Sequence, residues 1–383
     1  NLNTQIISVD IPSGLSADTG KVDELCVIAD HTVSMGYAKL GFAFYPARSV
    51  LGELHVRKLG YSDKTLNKYH KDKIYTLGIQ DLIELMPARA IAGNKLDHGT
   101  GMIIAGSKHM AGAAILAAGA ALNSGLGMLH LASVSTNISA INTAVPEAVT
   151  HALTNYDEDR NSDNLDTCCQ LISKKEPDAL CMGPALSLEY NAQALVQCIL
   201  EELEGSKYKP AIILDADAIN AFRDEREKLK HKGLDILVTP HNAEFARIAP
   251  EKFSAEEIAA LSPLDKISLM RKFTKASGCS ILLKGSPSIV VDATTSEAFV
   301  LPYGNSGLAK ASSGDCLSGI ITALAAQISC RKNKSRLAVS TRAAILGAFL
   351  MGKTAEEITK EYGEYSVSAS RIIDNLHKIL RAF

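Results

Sequence analysis

From residue 101 the chain settles into one alternation, in which short, wholly apolar runs end at glycine, proline or an acid and give way to alanine-rich stretches. GMIIAGS (101–107) leads into MAGAAILAAGAALNSGLG; DALCMGPALS (178–187), AIILDADAIN (211–220) and ILVTPHNAEFARI (236–248) follow the same plan. Apolar runs without polar alternation are strands buried on both faces, and strands that alternate with helices predict a parallel sheet covered on both sides. SILLKGSPSIVVD (280–292) departs from the rhythm and reads as a hairpin-like strand pair with Lys284 and Gly285 at its turn. The segment after residue 341 reads as helices that cover the sheet.

Composition narrows the class. The chain has 383 residues, 46% hydrophobic and 21% charged, enough for one large domain with an appendage or for two domains. A net charge of −2 gives no basic surplus, so neither nucleic acid nor an anionic membrane is an expected partner. The longest apolar runs, near residues 111–122 and 320–328, are too short to span a bilayer. The chain starts NLNTQIISVDIPSG, in which no secretory leader is visible, and its eight cysteines form no Cys-x-x-Cys pair. Reduced thiols in a cytoplasmic protein are therefore expected.

The stretch with the most chemistry is GNSGLAKASSGDCLSGIITALAAQ (304–327). A glycine- and serine-rich loop passes one acid, Asp315, and becomes an apolar helix, so free main-chain N–H groups at the helix start offer a phosphate cradle. Asp315 is either an N-terminal dipole partner or a proton acceptor beside that cradle. Upstream, Asp215 and Asp217 would share a face if extended and suit magnesium or helix capping. Thr239-Pro240-His241 reaches a sheet edge with Glu244 early in the next helix, and Lys284 leaves a buried strand as a phosphate partner or a solvated turn lysine.

The first sixty residues differ in texture. QIISVDIPSGLSADTG reads as a buried strand ending in a Pro-Ser-Gly turn, and a lysine-rich segment from residue 62 reads as a linker, with a boundary near Asp72. The expected division is residues 1–65, a linker with an entry helix over 66–90, and a large domain over 91–383.

These motifs, in this order, resemble the bifunctional NAD(P)H-hydrate repair proteins over nearly the whole chain. VDIPSGL, HTVSMGYAKLGF and LGELHVRKLGY resemble the closing part of the NAD(P)H-hydrate epimerase domain. TAVPEAV, the Thr-Pro-His-x-x-Glu run and the Gly-Asp loop resemble the ribokinase-like, ADP- or ATP-dependent NAD(P)H-hydrate dehydratases. The resemblance implies an α/β fold: a ribokinase-like three-layer domain with a central, mostly parallel sheet, preceded by a partial Rossmann-like epimerase domain. It implies substrate contacts at Ala113, Gly183, His241 and Asp315, and at Asp10 in the epimerase part. It also implies a nucleotide site at Lys284, Gly285, Ser286, Pro287, Ser288, Asn305, Ser312, Ser313 and Gly314, with magnesium, and a potassium ligand at Ser13.

Several departures stand out. The epimerase's upstream asparagine- and glycine-rich loop is missing, and sixty residues cannot close a doubly wound sheet, so a truncated sequence or a second chain completing the sheet is expected. Ala185 and Ser187 replace glycines of the family's Gly-Pro-Gly-Leu-Gly turn, which predicts φ below zero at both. Met351 and Arg371 replace a histidine and an aspartate, with consequences expected for packing or capping.

The implied reaction converts the S-form of NAD(P)H hydrate to NAD(P)H by phosphorylating the ring hydroxyl and eliminating phosphate. Asp315 would be the catalytic proton acceptor, the N–H groups of Ser312 to Gly314 would hold the phosphoryl, and Lys284 would offset its charge. The chain is expected to form a homo-oligomer. A vitamin-precursor kinase of the same fold would share the Gly-Asp loop but release a stable phosphorylated product. A half-epimerase with an inert second domain, or a pure nucleotide-binding module, would show no nucleotide-driven turnover.

Overall fold

The computed structural model describes residues 4–62, 64, 68–70, 72–89, 92–157, 161–331 and 335–383. Two sheets organise them. A three-stranded parallel sheet holds β1 (Ile7–Val9), β2 (His31–Met35) and β3 (Glu53–Arg57) in that order. A ten-stranded sheet takes the rest: β4 (Ile74–Tyr75), β5 (Thr100–Ile104), β6 (Met128–Val134), β7 (Val149–Leu153), β8 (Ala179–Met182), β9 (Ala211–Leu214), β10 (Asp235–Val238), β11 (Ser280–Leu283), β12 (Ser288–Val291) and β13 (Ala298–Leu301). Its spatial order is β4-β13-β12-β11-β10-β9-β8-β5-β6-β7.

From β7 across to β11 every neighbouring pair is parallel, as continuous apolar runs require, and β12 is antiparallel to both β11 and β13. Alternate residues feed the two sides of the sheet. Ile103 and Cys181 face the helices Ala111–Asn123, Ser313–Cys330 and Val339–Tyr362, whereas Met102, Leu180 and Met182 face Tyr190–Gly205 and Pro263–Ser277. The result is the three-layer ribokinase-like architecture. Small residues set the helix spacing: a Cβ on Gly319 would stand 2.1 Å from the Ala117 carbonyl oxygen.

The stretch expected as a linker with an entry helix over 66–90 carries the short strand β4 and the helix Ile79–Leu85. Residues 66, 67, 71 and 90 lie outside those described, but β4 pairs with β13 and Leu82 of helix Ile79–Leu85 is fully buried in the large core. Residues 74–85 thus belong to the large unit, because Ile74 and Tyr75 complete its sheet edge.

The small unit has its own apolar cluster of Leu15, Phe42, Ala47, Val50 and Leu51. It is not independent of its neighbour. Phe44, just after the 3-10 turn Leu40–Ala43, is buried in the large unit's second layer, a contact of about 1.5–3 kcal/mol in transfer terms. No helix among the described residues is long and apolar enough to cross a membrane.

Candidate active site

The parallel strands β8, β9, β10 and β11 end on one edge of the sheet, and each delivers a residue there: Gly183, Asp215, Thr239 and Lys284. Open α/β sheets bind ligands at this edge. Helix Ser313–Cys330 begins there too, entered through Ser312 in a left-handed conformation at φ +68°.

Asp215 is the hub. Its carboxylate is 1% exposed, yet Oδ1 accepts from Lys284 Nζ at 2.8 Å and from Thr239 Oγ1 at 2.8 Å, and Oδ2 accepts from Ser318 Oγ at 2.7 Å. Burial pushes this carboxyl up, but Lys284 and the two hydroxyls outweigh it and hold it below the usual range. For Lys284, burial works against the charge, and Asp215, Glu244 and Asp315 together raise its affinity for the proton. The pair is therefore ionised, with Glu244 Oε2 a further 3.7 Å from the ammonium. Because Ser318 lies on the helix and Lys284 on β11, Asp215 ties the helix start to the strand that supplies the cation.

Asp315 stands one residue past the glycine of the loop. Burial, then the charge of Asp215, raise its carboxyl to about 6, against a hydrogen bond from Ser312 and the attraction of Lys284. Among the described residues the N–H groups of Ser312, Gly314 and Asp315 find no acceptor, and that of Ser313 reaches the Lys310 carbonyl only at 3.5 Å. Unpaired donors at the positive end of an eighteen-residue helix make an anion site. A Cβ on Gly314 would stand 3.4 Å from Lys284 Nζ, so the ammonium lies directly against the loop.

A cavity of about 610 Å³ opens on one side of that loop, within the range of small-molecule sites. Lys284, Gly285, Ser286, Ser288, Asn305, Ser313 and Gly314 line it. Pro287 is buried in the turn behind them, and Ser312 lies at the helix cap outside the wall. Asn305 has its amide committed to structure: Oδ1 caps Gly307 N at 3.0 Å and Nδ2 donates to Thr359 Oγ1 at 2.8 Å. Asp315 is not in the cavity wall. The charges of Asp215, Asp217 and Lys284 act on it, and Lys284, which also lines the cavity, links the acid to that space.

The remaining expected residues divide into two groups. Gly183 has φ +124°, and a Cβ there would stand 1.8 Å from the Asp215 carbonyl oxygen, so its glycine is demanded by close packing beneath the site. Ala113 lies buried in the first turn of helix Ala111–Asn123 and outside the cavity. His241 caps helix Asn242–Ile248: Nδ1 accepts from Ala243 N at 3.1 Å and Glu244 N at 3.2 Å, and Nε2 lies 3.4 Å from Glu244 Oε1. It reaches Lys284 only through Glu244. Asp10 and Ser13 sit in the small unit, away from this centre. Asp10 accepts from Met35 N at 2.9 Å and from Lys39, whose hydrogen bond leads the causes that lower its pKa; the Ser13 carbonyl accepts from Val27 N at 2.9 Å.

Three expectations need correction. Ala185 and Ser187 keep left-handed φ values of +47° and +102°, although neither is glycine. Burial of Leu186 between them and the bond from Ser187 N to Asp217 Oδ2 at 2.9 Å fix the turn against residue preference. Met351, expected to matter for packing, lines the cavity itself, whereas Arg371 does serve packing, stacked 4.8 Å over Tyr362. Asp215 and Asp217 do not share a strand face, because Ala216 turns the chain at φ +47° and Asp217 begins a helix. Missed were Ser318, the cavity residue Tyr303, and Tyr45, which the small unit places in the cavity wall; Thr239 was expected at the sheet edge, but its bond to Asp215 was not.

The sequence and the fold have known counterparts. A family profile described as NAD(P)H-hydrate dehydratase matches residues 101–378, and one described as YjeF-related protein N-terminus matches residues 1–41. The bifunctional NAD(P)H-hydrate repair enzyme Nnr of Moorella thermoacetica is 30% identical over 98% of this chain and 67% of its own length. That of Escherichia coli is 28% identical over 98% of this chain and 65% of its own length. The chain thus spans about two thirds of these relatives. Among solved structures, an ADP/ATP-dependent NAD(P)H-hydrate dehydratase from Bacillus subtilis, co-crystallised with ATP and magnesium, superposes with a TM-score of 0.64 at 24% identity, over 79% of this chain and 96% of that one. A ribokinase-like superfamily protein from Enterococcus faecalis gives 0.65 at 21% identity, over 82% and 97%.

Proposed function

The chain belongs to the NAD(P)H-hydrate dehydratase family, and from that premise we propose that its Gly-Asp loop drives dehydration of NAD(P)H hydrate at the expense of ADP or ATP. Hydroxide is a poor leaving group. Transfer of a phosphoryl group to the ring hydroxyl of the S-form creates an ester, whose C–O bond then breaks with loss of inorganic phosphate and of a ring proton, restoring the double bond.

The observation that carries this reading is the set about Gly314: Lys284 in the cavity wall and against the loop, and Asp315, with a carboxyl raised to about 6, next along the helix. Asp315 is close enough to its working range to be ionised at neutral pH and still accept the hydroxyl proton. The unpaired N–H groups of Ser312, Gly314 and Asp315 and the ammonium of Lys284 hold the phosphoryl in transit. Lys284 to Ser288 and Asn305 to Gly314 frame the nucleotide. Contacts of Ala113, Gly183 and His241 with the hydrate are part of this proposal; Gly183 packs against Asp215 and His241 against Glu244.

Magnesium would arrive with the nucleotide and be held chiefly by its phosphates, since Asp215 is spent on Lys284, Thr239 and Ser318 and Glu244 on His241. When bound it supplies neutralisation of phosphate charge. In the small unit Asp10 is the substrate contact and Ser13 the potassium ligand of an epimerase fold when that fold is whole. Eight unpaired cysteines, four of them buried, suit a reducing cytoplasm. A homo-oligomer is the proposed assembly, although the alanine-rich helices themselves pack inside the protomer.

The test is incubation of the protein with enzymatically hydrated NADH and each nucleotide in turn, following the absorbance of restored dihydronicotinamide. Recovery with release of phosphate and no lasting phosphorylated product is expected. A stable phosphorylated product would mark a vitamin-precursor kinase instead.

A further inference from the structure

Away from the cavity, β2 and β3 carry three side chains with metal-ligating atoms. Their parallel register places His31 beside Glu53 and Val33 beside His55, and residues two apart on a strand share a face. His31, Glu53 and His55 therefore converge, with their ligating atoms within 4.8 Å of one another. Nδ1 of His31 lies 3.3 Å from Nε2 of His55, and the two carboxylate oxygens of Glu53 lie 3.6 Å from the first and 3.5 Å from the second.

The His31–His55 spacing has the length of a tetrahedron's edge, and each imidazole has one of the two Glu53 oxygens at close to that length. Bonds of about 2.0–2.2 Å from one ion to imidazole nitrogens and a carboxylate oxygen, at tetrahedral angles, put neighbouring ligand atoms roughly 3.3–3.6 Å apart. The donor set, two imidazoles and a carboxylate, is that of zinc, and the residues are accessible enough to load, at 31%, 67% and 34% side-chain exposure for His31, Glu53 and His55.

We infer that His31, Glu53 and His55 form a binding site for a divalent cation of the zinc class, with its fourth position open to water. The site stands at the starts of β2 and β3, the opposite end of the sheet from Asp10, which meets the last residue of β2. Its position gives it a structural task. β3 is the edge of a three-stranded sheet and four of its five residues are exposed, so an ion shared with β2 pins the strand that has least packing to hold it.

The test uses the full chain, freed of metal with a chelator and titrated with zinc alone by calorimetry, with cobalt as a coloured reporter. One saturable equivalent is expected, together with a rise in thermal midpoint on loading. H31A and H55A should each weaken zinc binding by more than the ~10–100-fold that loss of an outer-sphere partner costs at metal sites. H31Q and H55Q, which keep a polar side chain without the ring nitrogens, separate ligand loss from a merely weakened fold. NAD(P)H-hydrate turnover should be unchanged in all four. Zinc that binds the H31A/H55A double variant as tightly as the parent, or that shows no saturable equivalent at micromolar concentration, overturns the assignment and leaves a hydrogen-bonded histidine pair beside an acid.

Discussion

The carboxyl of Asp315 is held at about 6, chiefly by burial and then by Asp215, and this has two separable outcomes. Only the ionised form accepts a proton, so kcat/KM, which reports the free enzyme, should fall to half near pH 6 and keep falling below it. Asp315→Asn should abolish turnover at every pH while nucleotide binding persists; surviving activity would remove Asp315 from the proton-acceptor role. Stability moves the other way. A carboxyl whose folded pKa lies above its unfolded value favours the folded chain at low pH and loses that contribution as pH rises through about 6. D315N should therefore match the parent near pH 4 and exceed it, by on the order of 1–3 kcal/mol, above pH 6, measured by denaturant titration. Asp215 is the contrary case: Asp215→Ala leaves Lys284 buried without its partner, with an expected loss of about 3–5 kcal/mol. Neither fate was legible from the local sequence. AIILDAD showed two acids after a strand, but the meaning of Asp215 is set by Lys284, sixty-nine positions further along, and no spacing rule reports a contact of that range.

At the scale of elements, the parallel sheet and the β11–β12 hairpin were legible because uninterrupted apolar runs leave few other folds open to them. The helix pair that positions the loop was less so. Helices Ala111–Asn123 and Ser313–Cys330 approach so closely at Gly319 that a methyl group there would stand 2.1 Å from the Ala117 carbonyl oxygen. Gly319→Ala should force the helices apart, at a cost of about 1–3 kcal/mol visible as a lowered thermal midpoint. Turnover should fall with it, since the same helix start carries Asp315. The 183–187 turn shows where residue preference yields to context. Ala185 and Ser187 each sit at left-handed φ, at roughly 1–2 kcal/mol apiece, because a buried Leu186 and the Asp217 carboxylate require it. Reading glycine loss as a change of backbone shape was the wrong inference; the shape is kept and the strain is carried.

At the scale of the whole molecule, the two sheets are joined by more than a linker. Phe44 is sunk in the large unit's core, and the next residue, Tyr45, forms part of the cavity wall with one side under the Arg48 guanidinium 5.0 Å from its ring centroid. A nucleotide whose base reached that wall would meet a flat ring able to stack on it. Tyr45→Ala should raise the KM for ADP or ATP by roughly fivefold, about 1 kcal/mol of ring contact, with kcat unchanged and Tyr45→Phe silent. Equal KM values for Y45A and the parent would place the base elsewhere. One practical outcome follows for anyone who divides this chain at its boundary: an excised C-terminal fragment would carry every polar group of the phosphate cradle and still report the wrong nucleotide affinity. Variants near residue 45, scored in such a fragment, would pass as harmless.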